Sequence, residues 1–243
     1  MSKIRVSAVS YTNSIPFVEG IKSSEVVMQQ IDLSLDIPLD CARKLIDGKV
    51  DIGLIPVAAI PFVTEPHIIS DYCIGSDGPV NSVFILSNVP IEEVKVVKLD
   101  PQSRTSNNLS KILLKHHWKL STTFVTDENA YFDASVLIGD RTFGITDQYK
   151  YVYDLGACWK EFTGLPFVFA AWVSSGKLSE QFLDSFNSAL KLGVDNRHSI
   201  IAQLKPIKNF DLEDYLMNKL DFNLNVDKRK AVELYLNYLK EFI

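Results

Sequence analysis

The chain has 243 residues, 47% of them hydrophobic and 23% charged, the balance of an ordinary globular protein of one to two domains. That composition excludes a disordered chain, a collagen-like repeat and a charged tail protein. With 25 basic against 30 acidic residues the net charge is −5, so the basic field of a nucleic-acid binder is missing, and any bound anion must be held by local donors.

The longest apolar runs, such as residues 166–173, fall far short of the roughly 20 residues a membrane helix needs. Cys41, Cys73 and Cys158 are an odd set without a C-x-x-C spacing; they read as buried, reduced thiols of a reducing compartment. The start of the chain, Met1-Ser2-Lys3-Ile4-Arg5-Val6, has no apolar h-region of signal-peptide type and reads directly as a strand. A cytoplasmic chain is expected, with neither nucleic acid nor membrane as partner.

In chain order, Ile4–Val9 is a β-branched run that ends in the turn-rich Ser10-Tyr11-Thr12-Asn13. Pro16 then suits the first turn of a helix carrying Phe17, Val18 and Ile21. Residues 31–37 alternate Ile31, Leu33, Leu35 and Ile37, the period of a half-buried strand. A helix follows from Asp36 or Pro38, with Cys41, Leu45 and Ile46 on one face and a stop at Gly48. Residues 50–55 form a strand leading to a second helix start at Pro56. Strand and helix alternating in this way predict a mainly parallel sheet.

Residues 68–74 and 82–87 are further strands, separated by Gly75-Ser76-Asp77-Gly78-Pro79. The pattern then restarts: strand at 94–99, helix at 103–118, strands at 122–125 and 136–138. A strand at 167–173 precedes a long helix capped by Ser179, and Val232, Tyr235, Leu236 and Leu239 mark a final helix. The restart predicts two lobes, the first from 1–88 plus 172–243 and the second from 89–171, with a small-molecule cleft between them.

Metal and cofactor motifs are easy to exclude. Adjacent His116 and His117 on a helix point in different directions, and no H-E-x-x-H, G-x-G-x-x-G, P-loop or G-x-S-x-G string occurs. What remains is polar loops at strand ends. Ser10-Tyr11-Thr12-Asn13-Ser14 either contacts a ligand at the carboxyl edge of the sheet or caps the next helix through Asn13 or Ser14. Asp100-Pro101-Gln102-Ser103-Arg104-Thr105-Ser106 opens a helix, where free N–H groups, three hydroxyls and the positive dipole end suit a carboxylate or phosphate. The alternative is again a cap, with Arg104 as a surface cation. Ser82 opens a strand at the lobe junction, and Asp140 either orients a ligand or caps a helix. Cys158, Trp159, Phe167, Phe169 and Trp172 read as core and hinge packing.

Taken together these segments form an ordered series: Val9-Ser10-Tyr11-Thr12-Asn13-Ser14-Ile15-Pro16, Val50-Asp51-Ile52-Gly53-Leu54-Ile55-Pro56-Val57, Gly78-Pro79-Val80-Asn81-Ser82-Val83, Leu99-Asp100 with Ser103-Arg104-Thr105-Ser106, and Ile138-Gly139-Asp140. Asp154-Leu155-Gly156, Trp159 and Thr163-Gly164-Leu165-Pro166-Phe167-Val168-Phe169-Ala170 continue it. The series resembles the menaquinone-biosynthesis chorismate dehydratases of the futalosine pathway, over about residues 4 to 172. Thr12 stands where that family often has an apolar residue, and Ser14 where threonine is common.

The resemblance implies a type II periplasmic-binding-protein-like fold, two α/β lobes around a central cleft, used as a cofactor-free enzyme. It implies conversion of chorismate to 3-[(1-carboxyvinyl)oxy]benzoate with loss of water, the substrate's own enolpyruvyl carboxylate taking the proton. The family's functional asparagine and serine fall on Asn13 and Ser82, and its ligand-holding loop on Ser103, Arg104, Thr105 and Ser106. Tyr11, Ile55, Pro56, Gly139 and Asp140 stand in the matching motifs as the other expected substrate contacts. Two alternatives stay open: a later-step menaquinone enzyme of the same fold acting on a cyclic futalosine-derived substrate, and a non-enzymatic cytoplasmic small-anion-binding protein.

Overall fold

Eleven strands fall in two sheets in the computed structural model, which describes residues 3–243; Met1 and Ser2, at the start of the expected first lobe, lie outside the described residues. In chain order they are β1 (Ile4–Val9), β2 (Ile31–Asp36), β3 (Ile52–Pro56), β4 (Pro66–Ser76), β5 (Val83–Ser87), β6 (Val96–Lys98), β7 (Thr123–Val125), β8 (Ala134–Ile138), β9 (Tyr151–Asp154), β10 (Phe167–Ser175) and β11 (Asp221–Asn223). The six-stranded sheet has the order β11-β4-β10-β3-β1-β2, and the five-stranded sheet β7-β6-β8-β5-β9.

Neither sheet is mainly parallel, contrary to the sequence pattern. β1 runs parallel to β2 and β3, but β10 is antiparallel to both β3 and β4, and β11 to β4. In the second sheet β6 is parallel to β7 and β8, whereas β5 is antiparallel to β8 and β9. The reason is the pair of segments that cross between sheets. Each returns the chain in the opposite sense, and periodicity within a strand carries no information about that sense. Sheet membership changes between Ser76 and Val83, so β5 pairs in the second sheet, and it changes back between Asp154 and Phe167.

Helix ends follow local chemistry. Ser179 accepts from the Phe182 N–H at the start of Glu180–Asp195, and Asn225 accepts from the Lys228 N–H at the start of Val226–Leu239. The helix expected after Pro56 is instead a 3-10 stretch, Val57–Phe62, because Pro61 inside it has no N–H to donate. The helix expected over 103–118 is α-helical through Arg104–Ile112 and widens to a π turn at Leu113–His117. Helices Ile15–Ser23 and Glu180–Asp195 touch through glycines: a Cβ on Gly193 would stand 1.8 Å from the Pro16 carbonyl oxygen. That approach fixes the helix that follows residues 10–14. No helix among the described residues is long and apolar enough to cross a membrane.

Candidate functional site

A cavity of about 550 Å³, its open mouth included, lies where β1, β3 and β8 end, β5 begins and helix Arg104–Ile112 starts. This is the crevice outside the carboxyl ends of the strands where α/β folds bind ligands. Tyr11, Asn13, Ser82, Ser103, Thr105 and Ser106 supply its polar lining. Its apolar lining includes Pro38, Pro56, Val80, Ile138 and Phe169. No charged side chain and none of the four histidines is part of it.

On the first sheet, the chain leaves β1 in a 3-10 turn, Thr12–Ser14. Ser14 does not cap the next helix. Its hydroxyl donates to the Val9 carbonyl and, at 2.8 Å, to that of Tyr11, which closes the turn on itself and presents Asn13 to the cavity. The Asn13 Oδ1 is buried with no hydrogen-bond partner. An unsatisfied buried acceptor costs about 1–3 kcal/mol, so this atom is poised for a donor from a ligand.

Ser82 is 1% exposed, and its Oγ accepts from the Tyr215 hydroxyl at 2.9 Å. The loop before it is pinned by one carboxylate. Asp154 accepts from the N–H groups of Val80 (3.0 Å) and Asn81 (2.7 Å), and also from those of Gly156 and Ala157 at the start of helix Leu155–Thr163. Asn81 sits in the left-handed region at φ 58°, a conformation asparagine tolerates better than most residues. Burial raises the Asp154 carboxyl above the usual range, opposed by these four donors. Ser82 is therefore held by its neighbours' backbone.

On the second sheet, Ser103 is a helix cap: its Oγ accepts from the Ser106 N–H at 3.0 Å. Thr105 Oγ1 accepts from the Ala58 N–H at 3.2 Å, and its carbonyl accepts from the Tyr235 hydroxyl at 3.0 Å, so this residue ties the helix start to the first sheet. The cap uses the Ser106 N–H, and the Ser106 side chain faces the cavity.

Gly139 has φ +65°, and a Cβ there would meet the Tyr11 ring at 2.6 Å; only glycine suits both conditions. The Tyr11 hydroxyl donates to Gln102 Oε1. Burial raises the Tyr11 phenol, with Arg141 opposing, so it stays a neutral donor. Arg141 in turn is paired with buried Asp100 at 2.6 Å, and Asp100 also accepts from the Gln102 and Ile138 N–H groups.

Three expected ligand residues stand off the cavity. Ile55 is fully buried within β3, because successive strand residues face opposite ways and it is Pro56 that lines the cleft. The Arg104 guanidinium lies over the Phe62 ring, 4.7 Å from its centroid, outside the cavity. Asp140 neither lines the cavity nor caps a helix. Its carboxylate accepts from the Thr12 N–H at 3.2 Å and the Thr12 hydroxyl at 2.9 Å, across the two sheets.

The sequence reading misses Tyr215, whose contact with Ser82 spans 133 residues and has no local signature. It also places Phe169 only in packing, whereas its ring lines the cleft. Trp159, Phe167 and Trp172 are core. The three cysteines are buried and unpaired, and burial pushes each thiol up to about 12, which removes them as nucleophiles. The site thus offers hydroxyl and amide groups from both sheets in an apolar surround: it can hold an anion and stabilise developing charge.

Comparison with known proteins agrees with this architecture. A chorismate dehydratase of Campylobacter jejuni subsp. jejuni serotype O:23/36 (strain 81-176) is 24% identical over 237 residues, 95% of this chain and 91% of the relative. A crystal structure of an Archaeoglobus fulgidus protein matches with a TM-score of 0.73 at 16% identity, covering 98% of this chain and 97% of the other. A Candida albicans protein described as having the generic periplasmic binding protein fold matches with a TM-score of 0.61 at 11% identity, over 99% of this chain and 95% of its own. The fold is that of the periplasmic binding proteins. A family model for menaquinone biosynthesis spans residues 4–241, and with nearly the whole chain matched this protein belongs to the menaquinone biosynthesis family.

Proposed function

We propose that the protein is a carbon–oxygen lyase that dehydrates chorismate to 3-[(1-carboxyvinyl)oxy]benzoate, in the futalosine route to menaquinone. The observation that carries this reading is the cavity lining: neutral donors from both sheets, and no ionised side chain. Family membership and the curated chorismate dehydratase relative support it.

The chemistry suits such a site. The hydrogen leaves the ring carbon that bears the enolpyruvyl ether, and its electrons move toward the adjacent carbon as the hydroxyl there departs. Proton and hydroxide leave together as one water, and the ring becomes aromatic. Aromatisation supplies the driving force, so the protein has to orient the substrate, hold its carboxylates and assist the leaving group. Ser106, with the helix start behind it, faces the cavity as an anion donor. Ser82 is the donor to the departing hydroxyl, and the amide of Asn13 holds the ring substituents. With no carboxylate or imidazole lining the cleft, the enolpyruvyl carboxylate of the substrate takes the proton.

The test is to incubate the protein with chorismate and follow an aromatic ultraviolet product. Its appearance is the expected result. Binding without turnover would favour an anion-binding protein. Turnover of a cyclic futalosine-derived substrate, with chorismate left unchanged, would favour the later-step enzyme.

A further inference from the structure

Tyr215 stands at the start of a π turn, Tyr215–Lys219, far along the chain from every polar loop of the cavity. It is 1% exposed. Its ring packs edge-on against Phe143 and Phe210, each with centroids 5.3 Å away, and those two rings stack on one another at 3.8 Å. This aromatic cluster fixes the ring, and the hydroxyl emerges at one place only: it donates to Ser82 Oγ at 2.9 Å, with the Asn13 side chain beside it. Tyr215 does not itself line the cavity; it reaches the two residues that do.

We infer that Tyr215 is a positioning residue for the dehydration proposed above, one whose hydroxyl holds Ser82 by its oxygen and so turns the Ser82 O–H into the cleft. The inference rests on that reading of the reaction. A serine hydroxyl has one proton and two acceptor sites. When Tyr215 fills an acceptor site, the Ser82 proton is the part of the group left for a ligand. A chain of two hydroxyls also polarises the terminal O–H. Burial raises the Tyr215 phenol well above its ordinary range, which keeps it protonated and able to donate. The enolpyruvyl carboxylate takes the proton from the adjacent ring carbon, the ring C–O bond breaks with its electron pair on the departing oxygen while the Ser82 O–H hydrogen-bonds to it, and the carboxylate passes that proton on to complete the water. Tyr215 gives up no proton.

Tyr215→Phe keeps the ring in its aromatic cluster and deletes only the hydroxyl. The expected result is a fall in kcat of about tenfold, the scale of one lost hydrogen bond, with KM unchanged. Because Tyr215 acts through Ser82, the double variant Ser82→Ala/Tyr215→Phe should be no slower than Ser82→Ala alone. The melting temperature of Tyr215→Phe should stay close to the wild-type value, because the ring keeps its packing against Phe143 and Phe210. Wild-type turnover in Tyr215→Phe, or losses that multiply in the double variant, would each overturn the positioning role. Wild-type protein inert toward chorismate would instead bring down the reaction itself, and the inference with it.

Discussion

Thr105 and Ser106 are adjacent hydroxyl residues at one helix start, yet their surroundings assign them different work. Thr105 Oγ1 is the acceptor for the Ala58 N–H at 3.2 Å, and Ala58 is fully buried. Thr105→Val keeps the shape and leaves that N–H unsatisfied, which costs about 1–3 kcal/mol. For a chain of this size each kcal/mol lowers Tm by about 2–4 °C, so a loss near the middle of that range lowers it by roughly 4–8 °C. Ser106→Ala removes a hydroxyl that faces the cavity while the helix cap, which uses the Ser106 N–H, survives. Thermal stability should hold, and chorismate binding should weaken. A bond to a charged group is worth about 1.5–3 kcal/mol, hence a Kd raised roughly tenfold to a hundredfold. Thermal melts and titration calorimetry on both variants read the two effects separately. A Thr105→Val protein with unchanged Tm, or a Ser106→Ala protein with unchanged Kd, would refute the division.

Ser82→Ala should lower kcat by about 10²–10³ with KM little changed, as for a donor used mainly in the transition state; retention of more than about a tenth of wild-type turnover in a steady-state assay would remove Ser82 from the reaction. Gly139→Ala forces a side chain into a left-handed backbone at φ +65° and against the Tyr11 ring, so it should cost about 1–3 kcal/mol in a denaturant melt and raise KM. Asp36 is half-buried, and hydrogen bonds from Lys44, Ser7 and Ser34 overcome the opposing effect of burial to hold its carboxyl below the ordinary aspartate value. A lowered carboxylate stabilises the fold above its unfolded value and loses that contribution as pH falls through its folded value. The Tm gap between wild type and Asp36→Asn should therefore be wide at neutral pH and narrow below about pH 3.8, and a gap that stays constant would contradict the pairing.

How far the sequence reveals this molecule depends on whether a feature is local. Alternation in 31–37 gives β2, and Ser179 gives a helix start, because strand period and capping act over a few residues. Strand direction in β5 and β10 is not legible, since it is set by where the chain returns after each crossing. The same split runs through the site. The polar residues after β1 and before helix Arg104–Ile112 announce a ligand edge, and Tyr11, Asn13, Ser82 and Ser106 do meet at one cavity. Arg104, Ile55 and Asp140 stand off that cavity, because a strand face or a side-chain partner decides where each one points. A cation in a helix's first turn looks like an anion clamp until its ring partner Phe62 is in place.

The position of Arg104 bears on how an acidic protein would hold the anion proposed above. Four charged residues on the loops around the cavity are paired within the protein: Asp140 with Thr12, Asp154 with the loop before Ser82, Asp100 with Arg141, and Arg104 with Phe62. Each carboxylate is satisfied by N–H, O–H or guanidinium donors, which spreads its charge over fixed dipoles before a ligand arrives. The cavity presents only neutral polar groups, among them Tyr11, Asn13, Ser82 and Ser106. Such groups bind an anion without a counter-charge, and in an apolar surround their dipoles act at low effective dielectric. The Asp140–Thr12 pair also bonds one sheet to the other, as Thr105 does through Ala58. That one contact therefore does two things: it joins the sheets beside the cavity and it keeps a carboxylate out of the cavity lining.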